Sequence, residues 1–546
     1  MTNRRRTALL CRCGLAAGLA VATSSATELM VTSVTPAART LDGPVQGPIV
    51  IRFDRAVDRT TIEGGEHFWA FGRWSGTAAG SLSYADGDKT VTLTPDRRFS
   101  AGESVMVILS HHLLAADGSP LRPAGYSYQF WTAARPTPMT FAEVDRLTTR
   151  TTPSVSTRAY GGIASDVDGD GFLDLTIVNE DTADLRVLLN RADGSGTFDA
   201  VLQPTFAVGD RASPSEPADF NRDGQVDICV ANINANTVSV LLGNGDGTFG
   251  PQQFIPVGLA PRGIAVLDAD GDGDVDIVNT NSDSDNLSLM LNDGTGLFGA
   301  PAFFEGGGGA EWALAAADMN NDGVLDLVVG ARDSQTVVVN LNDGDGTFTP
   351  VSSQSSAGAV WMLVCGDLNG DGAEDLTVAN SSTDNGTVLF GDGTGQLSAP
   401  QTYPTDPFTL ATDLGDLDGD GDLDWLNASF SLPHRWFLYR NDGAGAFTLE
   451  DTFTAPRAAS CSLMLDVDND LDLDLALIDE LQDEVIILQN SGFTPPPVPA
   501  VSAWAMLVMA LGSLTAGTVI LRRRTSFTRS RCPPCRRSIP RPGGPT

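Results

Sequence analysis

The chain has 546 residues and a formal net charge of −35, with 69 acidic against 34 basic side chains. So acidic a balance excludes nucleic acid and anionic membrane surfaces as partners of its main body. With 42 % apolar residues, 58 glycines and 7 % aromatics, it reads as a turn-rich β protein long enough for two or three domains.

Arg4-Arg5-Arg6 precede an apolar run from Ala8 to about Val21, and Ser24-Ser25-Ala26 follow as small residues. Residues 1–26 therefore read as a secretory signal peptide, the alternative being a retained anchor. Export and sorting machinery are the partners this implies.

Residues 28–134 carry spaced β-rich runs: Val31 to Pro36, Ile49 to Asp54, Lys89 to Pro95, Val105 to Leu109 and Tyr126 to Trp131. Such spacing, with turn signals between, predicts a β-sandwich. His111-His112 follow one of these runs and read as a turn pair rather than zinc ligands.

From Phe141 onward the pattern D-x-[DN]-x-D-G-x-x-D recurs. It begins at Asp166, Asp219, Asp268, Asp318, Asp367, Asp416 and Asp466, in steps of 49 to 53 residues. Each copy has an apolar run into the loop, a second out of it, a third after a polar stretch, and a turn leading to a fourth. Runs of four to six β-branched residues bounded by Gly, Asn and Asp are strands, and four per repeat describe one propeller blade. The fold class is thus all-β: a seven-bladed β-propeller over 138–493 preceded by an Ig-like β-sandwich. The seventh repeat stops near Phe493 without its last strand, whereas Pro138 to Val144 precede the first repeat and match that strand. This predicts that the segment around Phe141 closes the ring, leaving no exposed edge.

The loops are built for a hard divalent cation. Calcium takes six to eight oxygens, and alternate residues of a tight loop aim them inward around a turn that glycine permits. The candidate ligands are Asp166, Asp168, Asp170 and Asp174; Asp219, Asn221, Asp223 and Asp227; Asp268, Asp270, Asp272 and Asp276. They continue with Asp318, Asn320, Asp322 and Asp326; Asp367, Asn369, Asp371 and Asp375; Asp416, Asp418, Asp420 and Asp424; and Asp466, Asp468, Asp470 and Asp474. Asn at three third positions gives a neutral, weaker ligand. Leu471 replaces the glycine of the last loop, so that site is expected to be weaker or empty. These are not EF-hands, for the twelfth-position Glu is missing (Ile177 stands there in the first loop) and a strand leaves each loop.

The repeats resemble the FG-GAP/VCBS repeats of bacterial surface proteins and of integrin α-subunit propellers; the third even contains Phe298-Gly299-Ala300-Pro301. The resemblance implies six or seven bound Ca²⁺, a backbone carbonyl ligand at the seventh loop position (from Phe172 in the first loop), and metal loops and variable loops on opposite faces. The module at 28–134 looks like an SbsA-type bacterial Ig-like domain, on its F-D-x-x-V-D and D-K-T-V-T-L-T-P phrases.

Pro495-Pro496-Pro497 mark a stiff linker over 494–500. Val501 to Leu521 is uncharged and long enough to span a bilayer, and Arg522-Arg523-Arg524 follow as a positive stop. This stretch resembles an IPTL-CTERM sorting signal, except that 525–546 continue beyond it as an Arg/Pro-rich tail. Membrane contact is expected only here. The expected location is the cell envelope or surface, or the medium after processing.

No catalytic constellation is evident: His67, His111, His112 and His434 are the only histidines. Tyr160, Arg262, Trp312 and Trp361 stand at or near one register before the loops, where innermost strands open beside the central channel. They either contact a sugar or peptide or pack the inner strands. The function expected is adhesion or binding of an extracellular glycan or protein; the alternative is a polysaccharide-active enzyme or its accessory module. Cys229, Cys365 and Cys461 fall at different offsets and read as small buried thiols.

Overall fold

The computed structural model describes residues 28–63, 65 and 67–490. The expected signal peptide, linker, sorting segment and tail lie outside the described residues. Among those described, no helix is long and apolar enough to cross a membrane.

The N-terminal module is two four-stranded sheets. One runs β1 (Val31–Thr35), β2 (Ile49–Phe53), β6 (Thr90–Pro95), β5 (Gly80–Ala85); the other runs β4 (Gly76–Thr77), β3 (Phe68–Gly72), β7 (Ser104–Leu109), β8 (Tyr126–Trp131). Ile49, Ile51, Phe53, Phe68, Val105, Val107, Tyr128 and Phe130 fill the space between them.

Sequence pattern alone does not show β3. Its five residues, Phe-Trp-Ala-Phe-Gly, do not alternate, because every one of them is buried. Phe68 and Ala70 face the sandwich core, while Trp69 and Phe71 face away. Beside it on β7, Val105 and Val107 face inward while Met106 and Ile108 face away. A strand buried on both faces reads as a continuous apolar run.

After β9 (Phe141–Thr148) come seven four-stranded sheets. In each, the first strand leads into an Asp loop, and the second strand begins on the loop's ninth residue and is buried along its whole length. The first strands neighbour one another in a closed cycle, the strand Ala159–Ser165 meeting Ala459–Leu465. They surround a channel.

The ring closes as the repeat arithmetic predicts. β9 pairs antiparallel with the last strand, Glu484–Asn490, from Thr148 opposite Glu484 to Phe141 opposite Asn490. The seventh sheet is thus built from both ends of the repeat region, which satisfies the ladder of a strand that would otherwise be an edge.

The Ig-like module stands on the loop end of this ring. Trp69, Phe71, Met106 and Ile108 share one apolar cluster with Ile264, Leu267, Val275 and Leu325 of the repeats. The sequence shows no sign of this contact with the repeats.

Candidate metal loops and the channel

Each Asp loop is wound by its own carboxylates. The sixth-position backbone N–H donates to Oδ2 of the first Asp in all seven, from Gly171 to Asp166 at 3.1 Å through Leu471 to Asp466 at 3.0 Å. The ninth Asp is fixed twice. In the first loop Asp174 Oδ2 accepts from Val167 N at 3.1 Å and its Oδ1 from Asn190 N at 2.8 Å. The same two bonds recur at Asp227, Asp276, Asp326, Asp375, Asp424 and Asp474. The ninth residue therefore braces the loop to the turn after the third strand, a role that spacing does not reveal.

Carboxylate oxygens come within 4.8 Å of one another in four loops: Asp166, Asp168 and Asp174; Asp268, Asp270 and Asp276; Asp416, Asp418 and Asp420; Asp466, Asp468 and Asp474. In the second and fourth loops the amides of Asn221 and Asn320 donate to Asp223 and Asp322 at 2.9 and 3.0 Å. Asn369 Oδ1 accepts from Asp371 N at 2.9 Å.

Burial pushes the Asp166 carboxyl up to about 6, against the pull of Arg97 and with Asp170 and Asp168 adding to the rise. Burial likewise pushes Asp174, Asp227, Asp326, Asp375 and Asp424 up to about 8. Asp166 Oδ1 is buried without a hydrogen-bond partner. Hard oxygen donors, an orphaned carboxylate oxygen and a glycine turn fit a calcium ion. The side chains at the first, third, fifth and ninth positions would hold it, and the ion would supply the charge that lets their carboxylates stay ionised.

The Ig-like module rests directly on these loops. Trp74 O accepts from Asp166 N at 2.8 Å, and Thr77 Oγ1 donates to Asp219 Oδ2 at 2.6 Å. Trp69 Nε1 donates to Gly273 O at 3.0 Å, His111 N to Gly271 O at 2.7 Å, and Ser127 N to Gly323 O at 2.8 Å. Arg39 reaches Asp318 at 3.0 Å and Glu374 at 3.3 Å. The His111-His112 turn thus serves the domain contact.

The channel holds a cavity of about 270 Å³ lined by Trp74 and Met106 of the module and by first strands of the repeats. Inside it Arg73 pairs with Glu216 at 2.8 Å. Cys365 and Cys461 line it, half-buried, and Cys229 is buried; these three are free thiols.

The opposite end of the channel is where Tyr160, Arg262, Trp312 and Trp361 meet, each the second residue of its first strand. Trp361 donates its indole N–H to Tyr160 Oη, and its ring lies 4.6 Å from Trp312 and 5.1 Å from Phe408. The aromatic rings are therefore engaged with one another, and packing is their first role. Charge surrounds them. Arg262 and Arg332 lie over the Trp312 ring at 3.9 and 4.5 Å. Arg158 pairs with Glu480 at 2.6 Å and Glu180 at 3.1 Å, and Arg211 reaches Glu180 at 3.5 Å. Burial lowers Arg262, and its like-charged neighbours Arg211 and Arg332 add to this.

Sequence reading misses Glu180, Arg332 and Glu480. The repeats carry the signal: all three follow the second strand at one register, fourteen residues after Asp166, Asp318 and Asp466.

Comparison with known families agrees with this architecture. FG-GAP-like repeats match residues 166–230, 219–279, 268–329, 325–378 and 367–427, and a bacterial Ig-like domain matches 25–132. The chain is an FG-GAP repeat protein, an all-β propeller with an N-terminal bacterial Ig-like domain. No curated protein matches it. Among solved structures, BBS1N in complex with ARL6DN is 14 % identical, with a TM-score of 0.46 over 66 % of this chain and 98 % of that one. An Agrocybe aegerita lectin that recognises non-reducing terminal N-acetylglucosamine is 16 % identical, with a TM-score of 0.39 over 78 % and 94 %. A Lactobacillus plantarum protein is 15 % identical, with a TM-score of 0.33 over 63 % and 97 %.

Proposed function

We propose that this chain is an exported, calcium-binding surface protein that binds an extracellular ligand at the channel end away from its Ig-like module. The observation that carries this reading is the module's position. It covers the Asp-loop face through Trp69, Thr77 and His111, which leaves the opposite face for a partner. Calcium then serves structure: it neutralises loops that would otherwise repel, and so fixes both the blades and the surface on which the module stands.

The exposed end has a chemical bias. In a chain of net charge −35, Arg262 and Arg332 lie over the Trp312 ring, and Arg211 adds its charge near Arg262. Arg262 among them forms no ion pair within 4.0 Å among the described residues, and its Nε is buried without a hydrogen-bond partner. This favours an acidic ligand, such as a glycan bearing carboxylate or sulfate groups, which a guanidinium reads in bidentate fashion.

The test is an array of neutral and acidic glycans probed with the calcium-loaded protein and with Arg262→Ala. Binding confined to acidic glycans and lost in the variant supports the reading. Binding that the variant retains, or binding to no glycan, overturns the assignment of this end.

A further inference from the structure

We infer that Arg135 is the resident cation of the seventh Asp loop, so that this blade is closed by a guanidinium where the other six take a divalent metal. The inference rests on the calcium reading above and concerns the one loop that departs from the pattern.

Arg135 lies in the segment joining the Ig-like module to β9. Its backbone is held at the loop, for Arg135 N donates to Leu471 O at 2.7 Å, while Thr137 N ties the same segment to the sixth loop at Asp418 O, 2.8 Å away. That anchoring aims the side chain. Nη2 stands 2.6 Å from Asp470 Oδ2 and 2.6 Å from Asp472 Oδ2. Asp472 is almost fully buried, so this pair is shielded from solvent and salt. A third acid of the loop is also engaged, Asp468 Oδ2 accepting from Gln489 Nε2. Two protein donors thus serve three carboxylates of one loop: Arg135 holds Asp470 and Asp472, and Gln489 occupies Asp468 within the group that Asp466, Asp468 and Asp474 form.

The turn residue agrees. Leu471 holds φ 79, in the left-handed region the six glycines occupy at this position. There a side chain costs about 1 kcal/mol or more. A loop that must enclose a metal gains from glycine. A loop tied down by Arg135 through the Leu471 carbonyl and two flanking carboxylates can hold a leucine in that conformation.

Other arginines touch loops differently. Arg440 lies 2.8 Å from Asp418 and 3.4 Å from Asp420, but it is 47 % exposed, so water competes for it, and its loop keeps Gly421. Arg39 and Arg97 reach the first-position carboxylates Asp318 and Asp166, and Arg39 also reaches Glu374 of the fifth loop, but neither bridges two acids of one loop. Arg222 reaches the seventh-position Asp274 of the third loop at 2.5 Å, and that loop keeps Gly273. Only at the seventh loop do a bridging guanidinium and a lost glycine coincide.

The experiment counts calcium per chain by mass spectrometry after calcium loading and desalting, on the wild type and on Arg135→Gln/Leu471→Gly. The expected result is six ions in the wild type and one more in the double variant. Seven ions in the wild type would leave the calcium reading standing and overturn this one. No bound calcium would overturn both, and a double variant that folds yet holds six would overturn the role of Arg135. Hydrogen exchange of the wild type on chelation covers the case of a variant that does not fold. The amides of Leu475 to Ile478 should keep more protection than those of Ile277 to Thr280, and equal loss in both strands counts against the inference.

Discussion

The indole N–H of Trp361 reaches the phenol oxygen of Tyr160 at 2.9 Å, joining the first and fifth blades although 201 positions separate them in the chain. This bond spans the channel and, with Trp312 and Phe408 packed beside it, closes the end remote from the Ig-like module. Tyr160→Phe keeps the ring and removes the acceptor, so it should cost about 1 kcal/mol in urea unfolding with calcium present. Trp361→Ala removes the plug itself and should cost about 3 kcal/mol or more. Equal effects of the two would mean that the ring contributes nothing beyond its hydrogen bond.

Closure by β9 makes its own prediction. Leu147 sits opposite Val485 and is 8 % exposed. It clusters with Val485 and Ile487 of the last strand, with Ile478, and with Leu175 and Ile177 of the first blade. Leu147→Ala should therefore destabilise the ring by about 2–4 kcal/mol. Ala142→Ser, at an exposed position of the same strand, should change stability by less than about 0.5 kcal/mol. Calcium-loaded urea unfolding of both checks this, and indistinguishable midpoints would mean that β9 adds nothing to closure.

The blades, the loops and the closing strand are legible in the sequence because their signals are local and the loop motif is repeated seven times. The Ig-like module's place is not. Trp69 and Met106 face the repeats from strands whose partners, such as Leu267 and Val275, lie far along the chain, and no short-range pattern encodes that contact. The strand Phe68–Gly72 escapes for the same reason, since burial on both faces erases alternation. At the channel, register alone picks out Tyr160, Arg262, Trp312 and Trp361, but their mutual packing depends on ring curvature, which sequence spacing does not give.

Glu311 predicts a pH dependence. It is fully buried, and burial first, then the nearby acids Asp285 and Glu305, push its carboxyl up to about 7 from an ordinary 4.5. The folded state therefore holds a proton that the unfolded chain releases. The associated stability is present in full below about pH 4.5 and is lost as pH rises through about 7. Glu311→Gln should stabilise the protein at pH 8 by on the order of 3 kcal/mol, read as a higher melting temperature, and change it little at pH 4.5. A pH-independent effect would show that shape and not charge governs this position.

The docking of the Ig-like module yields the last prediction. Ile108 is fully buried, yet it points away from the sandwich core and into the cluster shared with the repeats. A charge placed there has no partner, and burying one unpaired is costly. Ile108→Asp should accordingly release the module from the loop face while leaving its own core, built on Val105 and Val107, intact. Small-angle scattering should show a larger radius of gyration, and calorimetry two transitions where the wild type gives one. Trp69 would lose its bond to Gly273 O at the same time, so tryptophan emission should shift to the red. An unchanged radius with a single transition would mean that polar contacts such as that of His111 with Gly271 hold the module without the apolar face.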